Sequence, residues 1–481
     1  MAPANEGMAE TTDFLAGVIE GFYGKPWTHE ERAEVFGWMA DWGLNTYFYA
    51  PKDDLKPRAL WREPYSDAEI EKLAQTIAAC QKRNLRFIYG LSPGLDIRYD
   101  DPAELEHLHK RFEQLSALGC RDFGLLFDDI PNRPASSEAG HQPSLAAAQC
   151  QMANALFKWT LARSRNARFL VCPTPYCSRM AARDVGGKNY LPTMGRELLP
   201  EIDVFWTGPE IISREITPAH VQELHQVLRR KPVIWDNLHA NDYDGRRFYC
   251  GPYAGRPPEL REAVGGILSN PNNEFPLNFV PLRTLAQFIR SDGNWDARQA
   301  YLSAMREWFP RFATLGPPVS FEDFILFGDC HYLPHEEGPE AEALFQLARG
   351  SVASIGDTAR ATPTPRSADL RPGTNLETET SRVGDRRSGP EFARRAARLH
   401  ELCARMAELR DRPLFYALSR RAWELREELD LLMNYVASKS STCAAPAPFV
   451  SDSHLPGTYR GGMVARLQRL LVQQPDGSFT S

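Results

Sequence analysis

Eight short apolar runs alternate, over the first 290 residues, with longer segments that carry apolar residues at helical spacing. The runs lack the strict alternation of apolar and polar positions that a strand with one solvated face shows, which indicates strands buried on both faces of a parallel sheet. The runs are FLAGVIE (14–20), LNTYFYAP (44–51), LRFIYGLSP (85–93), DFGLLFDDI (122–130), RFLVCPTP (168–175), DVFWTGP (203–209), PVIWDN (232–237) and GGILSNP (265–271). This alternation predicts an α/β fold, a (β/α)8 TIM barrel that forms a catalytic domain.

An open, doubly wound sheet is the competing architecture for such a pattern. No GxGxxG sequence follows the first run, so the phosphate-binding turn of many open nucleotide-binding sheets is missing. The barrel is therefore the prediction.

Beyond about residue 292 the pattern becomes helical. Residues 351–389 contain no aromatic residue and many Ser, Thr, Pro, Gly, Arg and acidic residues, which predicts a flexible linker or loop. After it, Phe392, Ala396, Leu399, Cys403, Met406 and Leu409 line one face of a predicted helix in a smaller helical C-terminal domain. The predicted organisation is an N-terminal tail (1–12), the barrel (13–291), a helical segment (292–350), the linker (351–389) and a helical C-terminal region (390–481).

Composition and charge exclude several classes of protein. The net charge of -6 gives no basic surface for nucleic acid, and no run of eighteen apolar residues predicts a membrane span. The N-terminus lacks the basic and apolar regions of a signal peptide, and nine cysteines without framework spacing fit free thiols in a reducing compartment. We therefore expect a cytoplasmic protein that binds neither nucleic acid nor membrane. Nothing in the sequence assigns an oligomeric state.

The ends of the predicted strands carry carboxylates, amides, a lysine and aromatic rings. In a (β/α)8 barrel, catalytic groups lie at this C-terminal face. Carboxylates and amides suit sugar hydroxyls, and aromatic faces suit the C–H surfaces of a sugar. The residues are Glu20, Gly21, Tyr23, Lys52, Asp53, Asp54, Asp96, Asp128, Asp129, Tyr176, Trp206, Trp235, Asp236, Asn237, Asp242 and Asn270.

Asp128 and Asp129 stand side by side where the fourth run ends. Burying carboxylates is unfavourable unless they are paired or one is neutralised, so an adjacent pair suits a site that needs two protonation states. The alternative is an ordinary turn after a strand, where aspartate is common.

Eight segments, in order over about residues 13 to 290, resemble glycoside hydrolase family 84, the O-GlcNAcases and related β-N-acetylglucosaminidases. They are GVIEGFYGKPW, LNTYFYAPKDD, LSPGLDI, LLFDDI, CPTPYC, WTGP, VIWDNLHANDYD and LSNPNNEF. The resemblance implies removal of O-linked GlcNAc from serine or threonine of proteins, without a metal or cofactor. Two alternatives stay open: the same chemistry on glycan or glycosaminoglycan fragments, and a GlcNAc-binding protein without activity.

The resemblance also implies a role for each matching residue. Asp128 would orient the 2-acetamido group, and Asp129 would act as general acid and then general base. Tyr176 and Asn237 would hydrogen-bond the acetamido group, with Trp235 beneath its methyl. The residues that would hold sugar hydroxyls or line the pocket are Gly21 (through its carbonyl), Tyr23, Lys52, Asp242 and Asn270.

Geometry favours the same chemistry. Two carboxylates that flank a glycosidic bond in the ordinary retaining mechanism lie about 5 to 5.5 Å apart, which adjacent residues achieve poorly. The nucleophile would then be the N-acetyl carbonyl oxygen of the substrate, and the product would form through an oxazoline.

Several other residues have structural interpretations. Asp53 and Asp54 are expected to hold the loop of Lys52, and Trp206 to pack. The pair His107 and His109 is expected on a solvated helix face, and Cys172 and Cys177 are expected to pack as small apolar residues. The group Asp329, Cys330, His331 and His335 has tolerable zinc ligands, but four ligands in one short loop are unusual, so no metal site is predicted.

Overall fold

The computed structural model describes residues 14–130, 144–360, 388–440, 448–450 and 461–481. The chain divides into two compact units. The first contains Met1–Asp242 and Pro252–Ala300, and the second contains Tyr243–Gly251 and Tyr301–Ser481. The second unit therefore takes nine residues from a segment that the sequence pattern assigned to the barrel.

The first unit is built on a closed barrel of eight parallel strands in sequential order, in which the last strand pairs with the first. The strands are β1 (Leu15–Glu20), β2 (Thr46–Tyr49), β3 (Arg86–Leu91), β4 (Asp122–Leu126), β5 (Phe169–Cys172), β6 (Asp203–Trp206), β7 (Val233–Asp236) and β8 (Gly266–Ser269). Each lies within one of the eight predicted runs, and nearly all strand residues are buried. The predicted TIM barrel is confirmed.

Helices follow the strands and cover the outside of the barrel. They are α1 (His29–Trp42), α2 (Asp67–Gln81), α3 (Pro102–Ala117), α4 (Leu145–Arg163), α5 (Ser178–Ala181), α6 (Tyr190–Glu197), α7 (Pro218–Leu228), α8 (Leu260–Ala263) and α9 (Phe279–Arg290). The local sequence determines where several of these helices begin. Thr28 and Glu31 form a capping box at the start of α1. Thr217 caps the N-terminus of α7, which has a proline in its first turn. The ring of helices leaves the strand ends open for a site.

Inside the barrel, large and small side chains alternate to fill the space. Phe48 points inward from β2, between Gly90 of β3 and Gly124 of β4. A β-carbon on Gly90 or Gly124 would lie only 2.5 or 2.4 Å from the Phe48 ring. The glycines are therefore required by packing, and the barrel has a filled core below the strand ends.

The second unit is mainly helical. Its helices are α11 (Phe321–Asp329), α12 (Pro339–Arg360), α13 (Ser388–Arg405), α14 (Arg412–Ser440) and α15 (Gly462–Gln468). Two short strands, β9 (Val472–Gln473) and β10 (Phe479–Thr480), form an antiparallel pair. The sequence of α10 (Ala297–Trp308) includes the point where the first unit ends and the second begins, between Ala300 and Tyr301. The six residues predicted to form one apolar face, from Phe392 to Leu409, are all buried. The helical C-terminal region is thus present, and the β9–β10 pair was not predicted.

The predicted start of the linker at residue 351 differs from the structure, where α12 continues to Arg360. Ala348 and Val352 are buried on the same face, so apolar helical spacing extends past the point where composition suggested a loop. Residues 361–387 of the predicted linker lie outside the described residues, as do residues 1–13 with the predicted tail. Among the described helices, none is long and apolar enough to cross a membrane.

Candidate active site

The C-terminal ends of six strands bring to one face of the barrel the residues that the resemblance assigned to the site. Gly21 and Tyr23 follow β1, Lys52 follows β2, Asp128 and Asp129 follow β4, Tyr176 follows β5, Trp235 to Asp242 end or follow β7, and Asn270 follows β8. Parallel strands that close a barrel place these segments together although they are up to 249 residues apart in sequence, from Gly21 to Asn270.

Asp128 is buried and held by a charged partner. The Lys52 ammonium donates to Oδ2 of Asp128, and the same ammonium lies 5.3 Å from the centre of the Trp235 ring. Oδ1 of Asp128 is buried and has no hydrogen-bond partner among the described residues. Because an unpaired buried carboxylate oxygen is unfavourable, Oδ1 is suited to accept a hydrogen bond from a ligand.

Asp129 has the opposite environment, since its side chain is exposed. The Tyr176 hydroxyl donates to Oδ1 over 2.7 Å, and the Tyr23 hydroxyl donates to Oδ2 over 3.0 Å. Burial raises the pKa of both phenols well above the usual value, and the charge of Asp129 raises it further. Both tyrosines therefore stay protonated and able to donate.

The backbone of Asp129 is left-handed, with φ of 49°. This conformation is uncommon outside glycine and costs on the order of 1 kcal/mol, although aspartate tolerates it better than most residues. The adjacent carboxylates have separate hydrogen-bond partners, Lys52 for Asp128 and the two phenols for Asp129.

Trp235 forms a wall of the site at the end of β7. Its ring packs edge-on to Phe205 at 5.4 Å, and its other side lies against Gly21. A β-carbon at Gly21 would lie 2.3 Å from the Trp235 ring, so only glycine fits there without displacement. Gly21 is therefore a packing requirement of the aromatic wall.

Two amides lie beside the wall. Asn270 donates to Oδ1 of Asn237 over 3.0 Å, and Asn237 donates to the Ile211 carbonyl over 2.8 Å. Oδ1 of Asn270 is buried without a hydrogen-bond partner in the described part of the chain. Like Asp128, Asn270 offers an acceptor to a ligand.

A buried ion pair fixes the end of β7 from behind. Arg256 makes bonds of 2.7 and 2.8 Å to the two oxygens of Asp236, and the Tyr253 hydroxyl adds a third of 2.7 Å. Burial alone would raise the pKa of Asp236, but the Arg256 guanidinium outweighs it and holds the pKa below the usual value. Asp236, which sequence placed among the strand-end candidates, is thus part of the support for Trp235 and Asn237.

Asp242 binds the loop after β1. Its Oδ2 accepts the backbone N–H of Tyr23 over 3.0 Å, and Asn273 donates to the carbonyl of Tyr23. Asp53 accepts the N–H of Gly24, and Asp54 accepts from the Tyr49 hydroxyl. The two aspartates after Lys52 therefore hold loops, as expected.

Sequence reasoning missed Arg58 and Asn273. Arg58 lies in the long loop between β2 and α2, where its guanidinium is 3.0 Å from the Tyr23 hydroxyl. Asn273 lies four residues after β8, as close to its strand end as Tyr176 is to β5, whereas Arg58 lies nine residues after β2. The run NPNNEF could have drawn attention to Asn273, but no local pattern marks Arg58.

The residues considered as metal ligands have other contacts. His109 stacks on Trp159 and His107 packs edge-on to Trp61. Asp329 accepts the N–H of Glu340 at the start of α12, while His331 stacks on Phe248. Trp206 is buried and bonds to His220, and Cys172 and Cys177 are buried thiols, as expected for packing residues.

Residues 16–315 match the family model described as beta-N-acetylglucosaminidase. The chain belongs to the beta-N-acetylglucosaminidase family. The resemblance drawn from the eight motifs is thereby confirmed, and membership places the chain among glycoside hydrolases.

Other members of this family include curated and solved relatives. The chain is 45% identical over 281 residues to the Protein O-GlcNAcase of Mus musculus and, over the same length, to that of Rattus norvegicus. These matches cover 58% of the chain but only 30% of either relative. A variant of the O-GlcNAc hydrolase of Thermobaculum terrenum is 28% identical, with a TM-score of 0.74 over 89% of this chain and 85% of that one.

Proposed function

We propose that this chain is a retaining β-N-acetylglucosaminidase that removes O-linked GlcNAc from serine and threonine of proteins by substrate-assisted catalysis. The observation that carries the proposal is the contrast between the adjacent carboxylates. Asp128 is buried against Lys52 with one oxygen unpaired, while exposed Asp129 lies between two phenols. Such a pair can support two different roles at one sugar.

In the first step, the acetamido carbonyl oxygen of the substrate attacks the anomeric carbon. Asp128 accepts the acetamido N–H through its unpaired Oδ1 and so aligns the carbonyl. As the bond to the leaving oxygen breaks, Asp129 gives that oxygen its proton, which releases the serine or threonine hydroxyl. The acetamido N–H proton passes to Oδ1 of Asp128, which leaves a neutral oxazoline. The substrate supplies the nucleophile, so the protein needs no covalent intermediate.

In the second step, Asp129 is the base. It takes a proton from a water molecule that attacks the anomeric carbon from the face the leaving group vacated. The bond between the anomeric carbon and the oxazoline oxygen breaks, Asp128 returns its proton to the nitrogen, and the acetamido group is restored. Two inversions give net retention, and no metal or cofactor takes part.

The remaining site residues are proposed to hold the sugar. Trp235 would lie under the acetyl methyl, with Tyr176 and Asn237 near the acetamido oxygen. Gly21, Lys52, Asp242 and Asn270 would bind hydroxyls, with Tyr23 lining the pocket. The unpaired Oδ1 of buried Asn270 supports this assignment most directly.

Protein-linked GlcNAc is proposed as the substrate because relatives from mouse and rat are named Protein O-GlcNAcase. The chain spans about 30% of their length, so substrate choice has to be measured on this chain. We also propose a cytoplasmic location, since the eight cysteines in the described residues are free and buried.

Hydrolysis of a GlcNAc-modified protein beside chitobiose and glycosaminoglycan fragments tests the substrate. We expect release of GlcNAc from the protein, and preference for the glycans would favour the alternative substrate. Binding of GlcNAc without turnover of an aryl β-GlcNAc glycoside would make the chain a binding protein. NMR of the first product tests the mechanism, because initial α-GlcNAc would exclude retention.

A further inference from the structure

Arg58 contacts two parts of the site without reaching the site centre. Its Nη2 lies 3.0 Å from the Tyr23 hydroxyl oxygen and 3.4 Å from the backbone carbonyl oxygen of Asp129. Its guanidinium carbon also lies 5.1 Å from the centre of the Tyr23 ring. Three contacts from one side chain fix the direction of the phenol and hold the backbone of Asp129.

The hydrogen-bond directions connect these contacts. Arg58 can only donate, so the Tyr23 oxygen accepts from it. The phenol proton is then available for Oδ2 of Asp129, 3.0 Å away. Because Tyr23 is 3.0 Å from each partner, Nη2 of Arg58 and Oδ2 of Asp129 are at most 6.0 Å apart. The cation therefore polarises the phenol and also acts on the carboxylate through space.

We propose that Arg58 is a positioning residue that aims the Tyr23 hydroxyl at Asp129 and stabilises the left-handed turn that presents this carboxylate. The inference rests on the proposed function, in which Asp129 carries a proton in the first step and none in the second. By holding the backbone of Asp129 and the Tyr23 hydroxyl, Arg58 keeps the carboxylate in place for both steps.

The strained turn makes this support necessary. Asp129 has φ of 49° and an exposed side chain, so few packing contacts hold it in place. Strained residues persist when surrounding contacts fix them. Arg58 binds the carbonyl of this residue, and Tyr23 and Tyr176 bind its carboxylate, so loops after three strands share the task.

Among the described residues, several charged or titratable groups lie near Asp129. They are Arg58 in the loop after β2, Tyr23 after β1, Tyr176 after β5, the neighbouring Asp128 and Cys172 at the end of β5. Burial and Asp129 raise the pKa of Tyr23, whereas Arg58 opposes them. Arg58→Met should therefore leave the phenol protonated, so a loss of activity reports the lost direction of the hydroxyl and not its ionisation.

The test compares wild-type protein with Arg58→Met, Arg58→Lys and the matched control Arg163→Met. Arg163 also lies over an aromatic ring, that of Trp159 at 3.8 Å, but on α4 and away from the site. The substrates are a nitrophenyl β-GlcNAc glycoside and a GlcNAc-serine glycopeptide. For Arg58→Met we expect kcat to fall about tenfold or more, with KM changed much less, as for loss of a hydrogen bond from a charged group.

The split between kcat and KM, together with rescue by the conservative variant, separates positioning from simple destabilisation. Arg58→Lys should regain part of the kcat that Arg58→Met loses, because it retains a charged donor but not the planar fork. Arg163→Met should match wild type in kcat and KM.

A double-mutant cycle with Tyr23→Phe tests whether Arg58 acts on Asp129 through the Tyr23 hydroxyl. Since Arg58 acts largely through the phenol, Arg58→Met should cost much less activity in the Tyr23→Phe background than in wild type. Additive losses in the cycle, no recovery of kcat in Arg58→Lys, or a loss confined to KM for the glycopeptide would each overturn the inference. If the wild-type protein hydrolyses neither substrate, the proposed function fails and the inference fails with it. If the wild-type protein is active and Arg58→Met has the same kcat and KM, the inference alone is overturned.

Discussion

The two adjacent aspartates have different exposure, backbone conformation and partners. Asp128 is buried and paired with Lys52, whereas Asp129 is exposed and left-handed between Tyr23 and Tyr176. The proposed roles predict that variants at the two positions respond differently to the leaving group. This is the most direct way to separate the two carboxylates.

Asp129→Asn should strongly lower kcat/KM for a serine-linked or alkyl glycoside. For a glycoside with a nitrophenyl leaving group, which needs no proton, the first step should slow much less. General acid–base catalysis typically raises the reaction rate by a factor of about 10² to 10⁴. Asp128→Asn should slow good and poor leaving groups by similar factors, because every substrate requires attack by the acetamido group.

The measurement is kcat/KM for both variants over aryl glycosides of graded leaving-group acidity. Azide should restore turnover of Asp129→Ala on the activated glycoside, since breakdown of the oxazoline lacks its base. A steep dependence for Asp128→Asn with a flat one for Asp129→Asn would reverse the two assignments.

Gly21 offers a second test at the residue scale. In Gly21→Ala, the new β-carbon would overlap the Trp235 ring, and such overpacking costs about 1 to 3 kcal/mol of the free energy of unfolding. We expect kcat/KM to fall as well, because the ring that would support the acetyl methyl must move. Urea unfolding and kinetics on an aryl β-GlcNAc glycoside measure both effects.

Gly37→Ala is the matched control, since a β-carbon at Gly37 meets nothing within 4 Å in the interior of α1. Replacement of an interior helix glycine should raise the free energy of unfolding by about 0.5 to 1 kcal/mol and leave activity unchanged. Wild-type stability and kinetics in Gly21→Ala would show that Trp235 is not held against residue 21.

At the scale of elements, the end of β7 depends on a buried charge pair. Arg256 and Asp236 are almost completely inaccessible to solvent. Arg256→Met leaves the Asp236 carboxylate without its partner and should lower the free energy of unfolding by about 3 to 5 kcal/mol at pH 7. Arg168→Met removes the partly exposed ion pair between Arg168 and Asp203. It should lower the free energy of unfolding by clearly less than Arg256→Met does.

The pH dependence of this pair has a definite sign. The folded pKa of Asp236 is lowered, so its stabilising contribution is full above the unfolded pKa, about 3.9, and is lost as the pH falls through the folded pKa. Burial alone raises the pKa of Asp236 in Arg256→Met. The difference in free energy of unfolding between wild type and this variant should therefore be largest near neutral pH and shrink as the pH falls from the raised pKa of the variant towards the lowered pKa of wild type. A difference that grows in acid would contradict the ion-pair explanation.

At the scale of the whole molecule, the proposed reaction makes a prediction about metal ions. The substrate supplies the nucleophile and Asp129 the proton, so no step calls for a Lewis acid. Prolonged treatment with EDTA should leave kcat/KM on an aryl β-GlcNAc glycoside unchanged. Loss of activity that zinc or magnesium restores would show that a metal takes part.

The sequence by itself determined the architecture of the barrel and the location of most of the site. Eight buried runs separated by amphipathic helices have few arrangements other than a closed parallel barrel, and the carboxyl ends of its strands must share one face. For this reason Asp128, Asp129, Lys52, Trp235 and Asn270 could be grouped before any coordinates. Ordered motifs then identified the family, because several side chains must match at once.

Only the tertiary structure decided how these residues differ from one another. The left-handed turn at Asp129, the contact of Gly21 with Trp235 and the approach of Arg58 to Tyr23 all depend on the course of loops. The extension of α12 to Arg360 and the grouping of residues 243–251 with the second unit were likewise visible only in the structure. Hydrophobic periodicity fixes an element because it reports on neighbours three or four positions away, whereas these features arise from residues distant in sequence that meet only when the chain has folded.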